Sequence, residues 1–254
     1  MGGALFAGWK ARGLAASVLV DPSPAPGIAR AMDTVVASIG AVPPDFAPAA
    51  AILAVKPQMA DAVLPALGGA VKPGAVLLSI MAGRRIDGLM AAIGVGMPVV
   101  RAMPNTPASI GQGITVACAG PGVTAAQQAL CDTLLAAVGD VAWVDNEALI
   151  DPVTAVSGSG PAYVFLLAEL LEQAGIAEGL PPALARRLAR RTVSGAGALL
   201  DASSEDAADL RRAVTSPRGT TEAALAVLMD DAAWPHAVKA AIGAATTRAR
   251  ELAT

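Results

Sequence analysis

The sequence predicts an α/β domain built on a parallel sheet that lacks its opening strand, followed by an all-helical domain. Two observations carry the prediction. Short aliphatic runs, each stopped by proline, glycine or a polar residue, alternate with helix-like segments up to about Asn146. Beyond that point strand-like runs stop, and only segments with helical spacing remain. Continuously aliphatic strands alternating with helices imply a parallel sheet covered on both faces. The domains are therefore read as residues 1–146 and 147–254.

Taken in order, Gly2 to Trp9 opens at once as a small-residue helix with Leu5 and Trp9 on one side, and no strand precedes it. Ala16 to Asp21 is an apolar strand ending in an acid and closed by Pro22-Ser23-Pro24. Val35 to Ile39 fits a helix or a strand. Ala51 to Val55 is a buried strand stopped by Lys56-Pro57, and a helix runs on to Leu67. Ala75 to Ile80 is a strand ending at Met81-Ala82-Gly83; Ile86 to Ile93 is a helix; Pro98 to Met103 is a strand followed by the loop Pro104 to Pro107. Ile114 to Cys118 and Val141 to Val144 are strands flanking a helix from Thr124 to Val138. The second half reads as helices over Leu149–Gln173, Pro181–Leu200, Glu205–Val214, Thr221–Met229 and Pro235–Leu252.

Composition narrows the function. The 254 residues are 54% hydrophobic and 15% charged, with mean hydropathy +0.56. The longest charge-free stretches are interrupted by Pro, Gly, Asn and Ser, so no clean run of about 18 apolar residues exists to span a bilayer. The apolar excess instead implies either large buried cores or an extensive subunit interface, the latter as in a homodimer or higher homo-oligomer. Net charge is −3, and Arg186, Arg187, Arg190 and Arg191 read as one solvated helix face without aromatic neighbours, which argues against nucleic acid. Cys118 and Cys131 are unpatterned, which points to a reducing, cytoplasmic setting and no metal site. The single histidine, His236, has no partner pattern and reads as a surface or packed residue.

Ligands of such sheets sit at the carboxyl ends of the strands. Those ends carry Asp21 and Ser23, Lys56 and Pro57, Met81 to Gly83, and Asn105 and Thr106, which suits a dinucleotide. In the second half, Val214 to Glu222 is a polar loop that opens a helix; Pro217 and Gly219 break the preceding helix, and Thr220 and Thr221 are capping types. A helix start of this kind can hold a carboxylate or phosphate, or be an ordinary cap. Ser157-Gly158-Ser159-Gly160-Pro161 places small residues in a helix, where each glycine costs about 1 kcal/mol, so something approaches closely: a ligand or another helix. No nucleophile–base pair or paired carboxylate is visible. An enzyme of this composition needs a cofactor for its chemistry, and hydride transfer fits.

Four stretches stand in the order and spacing of the pyrroline-5-carboxylate reductases, and the chain resembles that family along its whole length. They are Ala54-Val55-Lys56-Pro57, Met103-Pro104-Asn105-Thr106-Pro107, Ser157 to Tyr163, and Val214 to Thr221. The resemblance implies a Rossmann-type cofactor domain, a helical domain that dimerises, NADPH or NADH as hydride donor, and reduction of the cyclic imine 1-pyrroline-5-carboxylate to proline. It places cofactor contacts at Met1, Gly2, Ser23, Ala54, Val55, Lys56, Pro57, Met81, Ala82, Gly83 and Asn105. It places substrate contacts at Ser216, Gly219, Thr220 and Thr221, with Thr221 beside the imine nitrogen as the catalytic residue. Asp21 favours a ribose 2′-hydroxyl and Ser23 a 2′-phosphate, which leaves the two cofactors open.

Two departures from the family pattern stand out. The strand and Gly-x-Gly turn that precede Met1-Gly2 in the family are missing; the expectation is a coding start that lies upstream, the alternative a truncated chain with impaired cofactor binding. Arg218 stands where the family has Gly, and is strained if that position needs a positive φ. The related β-hydroxyacid dehydrogenases need a lysine on the helical domain, and residues 151–200 contain none. A non-catalytic dinucleotide-binding or structural dimer is the remaining alternative.

Overall fold

The computed structural model describes residues 1–94 and 96–253. They form two compact units: Met1–Gly158 together with the end of the last helix from Ala245, and Ser159–Ala244.

In the first unit, α1 (Gly2–Ala11) turns Leu5, Phe6 and Trp9 into the core. The Trp9 indole N–H donates to the Leu134 carbonyl at 2.6 Å. β1 (Val18–Val20) and β2 (Thr34–Val36) then pair in parallel as a sheet of their own. The chain between them contains no helix, and a polar clasp holds it instead. Arg30 grips Asp33 through Nε at 2.9 Å and Nη2 at 2.7 Å, and donates to the carbonyls of Leu14 and Ala15. Asp33 also accepts from the Ser17 amide. The Arg30 hydrogen bonds hold the Asp33 carboxyl far below the usual carboxylate range.

A second sheet has the order β3-β4-β5-β6-β7, with β3 Ala50–Leu53, β4 Val76–Ser79, β5 Val99–Pro104, β6 Gly113–Ala119 and β7 Gly139–Val144. Helices α2 (Ala60–Ala70), α3 (Ile86–Ile93) and α4 (Ala125–Leu135) connect its strands. All four residues of β4 are buried, with successive side chains on opposite faces. Val76 and Leu78 join the core of Leu5, Phe6 and Trp9, while Leu77 joins that of Leu64, Leu89 and Ile150. The expectation of a wholly parallel sheet needs one correction: β6 runs antiparallel to β5. The two are joined by a loop with a single 3-10 turn, Thr106–Ile110. That link is too short for the crossover a parallel neighbour requires.

No strand pairs with the outer edge of β3 or the second edge of β1 among the described residues. On β1 the carbonyl of Ser17 and the amide of Asp21 bond to β2. Val18 and Val20 therefore aim their backbone polar groups at the open side, because bonding direction alternates along a strand. By the same alternation Ala50 and Ile52 face the open side of β3, since the carbonyls of Ala49 and Leu53 bond across to β4. Leu19, Ala50 and Ile52 nevertheless pack against one core.

The first unit extends past the boundary read at Asn146. α5 (Ile150–Val153) and a π-turn over Thr154–Gly158 bury Ile150 and Ala155, and Ile150 packs with Leu53, Leu77 and Val116. The helix expected over Leu149–Gln173 is thus interrupted, and α6 begins at Gly160 and runs to Ala177.

The second unit continues with α7 (Pro182–Ala202), α8 (Ala207–Ala213) and α9 (Thr220–Leu228), then α10 (Trp234–Leu252), whose end belongs to the first unit. Gly175 of α6 meets α7 closely: a Cβ there would lie 3.5 Å from that of Ala185. Arg186 donates to Glu172 across the same helix pair at 3.0 Å. Among the described residues of this unit only Ala185 and Ala189 are buried.

Candidate functional site

Two sets of residues are placed by the folding of each unit. In the first, β3, β4 and β5 are parallel, so Ala54–Pro57, Met81–Gly83 and Asn105 emerge on one rim. α1 starts at this rim: a Cβ on Gly2 would lie 2.9 Å from that of Ala54. The amides of Ala4 and Leu5 bond back to the Met1 carbonyl, while those of Gly2 and Gly3 have no backbone partner in the helix. Bare glycines with free N–H groups at a helix start suit a phosphate.

The other rim residues divide between exposed and structural positions. Ala54 and Lys56 are exposed, and Pro57 opens a 3-10 turn that leads into α2. Met81 is 2% exposed, so its side chain fills the core; its amide donates to the Ser79 hydroxyl at 3.4 Å, which leaves the backbone carbonyl to a ligand. Gly83 has φ 75°. A Cβ there would come within 2.8 Å of the Leu252 carbonyl, so the end of α10 also excludes a larger residue. Asn105 accepts from the Ile114 amide at 3.0 Å, which fixes its loop against β6.

Asp21 and Ser23 follow β1. Asp21 Oδ1 accepts the Ser23 amide at 2.8 Å.

In the second unit, Ser216 to Gly219 closes a turn in which the Gly219 amide donates to the Ser216 carbonyl at 3.0 Å. Gly219 is the N-cap of α9 without a side-chain cap. The Ala223 amide is the first to bond back into the helix, at the Gly219 carbonyl. The amides of Thr220, Thr221 and Glu222 are therefore left pointing outward. Thr221 is half-buried, whereas Ser216 and Thr220 are exposed. Arg218 has φ 58°, the only positive value at a non-glycine among the described residues. Its amide donates to Glu222 Oε2 at 2.6 Å, which ties the turn to the helix it opens. The strain foreseen for Arg218 is thus present. The loop keeps the left-handed backbone that glycine would adopt freely.

The Ser157–Tyr163 stretch resolves partly into packing. A Cβ on Gly158 would lie 2.7 Å from Met103 Cε, so that glycine admits a neighbouring side chain. Ser157 Oγ is buried without a hydrogen-bond partner. Sequence reading also missed a buried ionic group elsewhere in the first unit. Arg101, 3% exposed, donates to Glu147 Oε1 at 2.8 Å, and Asp151 lies 3.9 Å away. Glu147 Oε1 also accepts the Ile86 amide. An arginine and two acids so far apart in sequence leave no local pattern to find.

No group of three or more His, Cys, Asp or Glu able to hold a metal occurs among the described residues. Cys118 and Cys131 are buried thiols, and burial pushes that of Cys131 up to about 12.

A parallel sheet with a bare helix start at its carboxyl rim, joined to a helical unit, defines a dinucleotide-binding protein of the Rossmann type. The family of pyrroline-5-carboxylate reductase dimerisation domains matches residues 147–252. Pyrroline-5-carboxylate reductase of Pseudomonas aeruginosa is 46% identical over 202 residues, which cover 80% of this chain and 74% of that protein. The structure of a pyrroline-5-carboxylate reductase from Coxiella burnetii superposes with a TM-score of 0.90 at 30% identity, covering 99% of this chain and 94% of the other. That of the Plasmodium falciparum enzyme with NADP bound has the same fold, with a TM-score of 0.81 at 24% identity and coverage of 100% and 94%. The chain belongs to the pyrroline-5-carboxylate reductase family. It is an oxidoreductase.

Proposed function

We propose that this chain reduces 1-pyrroline-5-carboxylate to proline with NADPH or NADH, the last step of proline biosynthesis. Family membership supports the reaction, and the start of α9 is the observation that carries the site. Three outward amides on Thr220, Thr221 and Glu222, on a helix with a half-buried threonine in its first turn, suit a small acid bearing an adjacent nitrogen. Amides at a helix start bind a carboxylate through charge-assisted hydrogen bonds.

The first unit fits the cofactor at its pyrophosphate, through the amides of Gly2 and Gly3 at the start of α1 and the open space at the Gly3 Cα. Ser23, Ala54 to Pro57, Met81 to Gly83 and Asn105 would line the remainder, Met81 by its backbone alone. When bound, the reduced nicotinamide supplies the hydride. The chain's own residues do the rest. The α9 amides fix the substrate carboxylate, with Ser216 and Gly219 shaping the turn that presents them. The Thr221 hydroxyl meets the imine nitrogen and holds the ring in one orientation. Orientation is the main source of acceleration where no strong protein base takes part.

Residues 1–146 then serve as the cofactor domain and residues 147–254 as the dimerisation and substrate domain, with residues 147–158 matching the dimerisation family while packing in the first unit. The exposed apolar side chains of the second unit support a homodimer: Phe165 is 67% exposed, Val227 68% and Leu166 52%. The helical run Glu147–Ala177 is long and apolar enough to cross a membrane, with only 6% of its most apolar window buried. The match to a dimerisation domain favours a second copy of the chain over lipid as its cover. A cytoplasmic location accords with the two free thiols.

Thr221→Ala is the test. The expected result is a kcat about 10–100-fold lower with pyrroline-5-carboxylate, while cofactor affinity measured by fluorescence titration stays the same. An unchanged kcat removes the catalytic role. A non-catalytic dimer is the second reading, favoured by the separation of β1–β2 from the main sheet. Imine-dependent oxidation of NADPH or NADH by the chain separates the two.

A further inference from the structure

Resting on the reading above, we propose that Glu147 is a positioning residue for the cofactor: one carboxylate oxygen ties together the two chain segments that carry the Met81–Gly83 turn and Asn105. It acts through those segments and not by contact with the cofactor.

The geometry converges on Glu147 Oε1. That oxygen accepts the Ile86 amide at 2.9 Å and Arg101 Nη1 at 2.8 Å. Ile86 is the first residue of α3 and follows Gly83 closely in the chain. Arg101 lies in β5, which leads into Asn105.

Each segment depends on this oxygen for a different reason. α3 has no side-chain cap of its own, since its N-cap is Arg85. Glu147 supplies the missing acceptor from 61 residues away, and a carboxylate suits a helix start. The turn before α3 includes Gly83 at φ 75°. Its path is set by where its ends are held: at β4 through the Met81 amide on Ser79, and at α3 through Glu147. On β5 the requirement is electrostatic. Arg101 is buried and its Nε has no partner. Its other acid, Asp151, stands 3.9 Å away and also faces Arg85 at 3.9 Å. Without Glu147 the buried guanidinium keeps no close acceptor among the described residues, and an unpaired buried charge is strongly destabilising. Residues 147–158 brace β5 a second time, since a Cβ on Gly158 would lie 2.7 Å from Met103 Cε.

The sign of the charge separates positioning from plain attraction. A carboxylate repels the pyrophosphate, so neutralising it favours the cofactor by electrostatics alone. Positioning instead depends on reach. Glu147→Gln keeps the reach and loses the charge, whereas Glu147→Asp keeps the charge and loses one methylene.

The experiment measures Kd for NADPH and NADH on the whole chain by calorimetry, with KM for the imine acid at saturating cofactor and Tm for each variant. Glu147→Asp is expected to raise Kd for the tighter-binding cofactor about tenfold, the loss of one charge-assisted hydrogen bond, with KM for the imine acid unchanged. Glu147→Gln is expected to hold Kd near the wild-type value while lowering Tm, because its amide oxygen still accepts both donors. Leu135→Ala, at a fully buried position of α4, is expected to lower Tm without moving Kd, which keeps lost stability apart from lost positioning. A wild-type Kd in Glu147→Asp, a larger rise in Glu147→Gln than in Glu147→Asp, or an equal rise in Leu135→Ala overturns the role of Glu147 and leaves the reductase reading intact. Binding of neither cofactor by the wild type overturns both.

Discussion

In β4 four consecutive residues are buried; in α6, a predominantly apolar helix of the second unit, none is. The difference lies in what each segment meets within its own chain. β4 has a strand on either side and a helical layer on each face, so its side chains find partners inside one unit. α6 has α7 along one side, and its remaining surface presents Phe165, Leu166 and Leu170 to the outside. Apolar sequence alone thus does not produce a core. The first unit closes on itself, and the second leaves an apolar surface of the kind the proposed homodimer would cover.

The contrast can be broken at either end. Leu78→Ala removes a fully buried side chain from the sheet core. It is expected to cost about 3–5 kcal/mol, read as a lower urea midpoint at every protein concentration. Phe165→Asp puts a charge on the exposed face of α6. It is expected to weaken self-association by about 2 kcal/mol or more, seen by sedimentation as monomer at concentrations where the parent is dimeric. Secondary structure should persist, because Phe165 packs little within its own chain. A sedimentation profile unchanged by Phe165→Asp would place the dimer surface elsewhere.

The smallest expected effect sharpens the picture of the α9 loop. Arg218→Gly replaces the strained residue at φ 58°. Relief of the left-handed strain, partly offset by the greater freedom of glycine in the unfolded chain, is expected to stabilise by about 0.5–1 kcal/mol. A raised Tm with unchanged KM for the imine acid would mark the Arg218 side chain as solvent-facing.

Much of this was legible in the residues. The aliphatic runs at Ala51, Ala75 and Pro98 became β3, β4 and β5, because period and length are local properties that burial on both faces reinforces. The start of α9 was legible from Pro217, Gly219 and the threonines, which govern backbone geometry at close range. Less legible was the direction of β6. It depends on the absence of a crossover helix between Pro104 and Gly113, and its aliphatic run reads alike in either direction. The Arg101–Glu147 pair and the burial of Ile150 were illegible too. Both join residues far apart in the chain, and they carry the first unit past Asn146 to Gly158.

The sequence by itself determined the order of strands and helices, the family, and the residues eligible for cofactor and substrate. Those follow from patterning and turn chemistry, which act over a few neighbours. Only the tertiary structure decided which eligible groups are still available. It turned the Met81 side chain inward, spent Lys10 and Arg30 on carbonyls and on Asp33, and set one oxygen of Asp21 on the Ser23 amide. Availability depends on what the rest of the chain has already bonded, and that is settled only when distant segments meet.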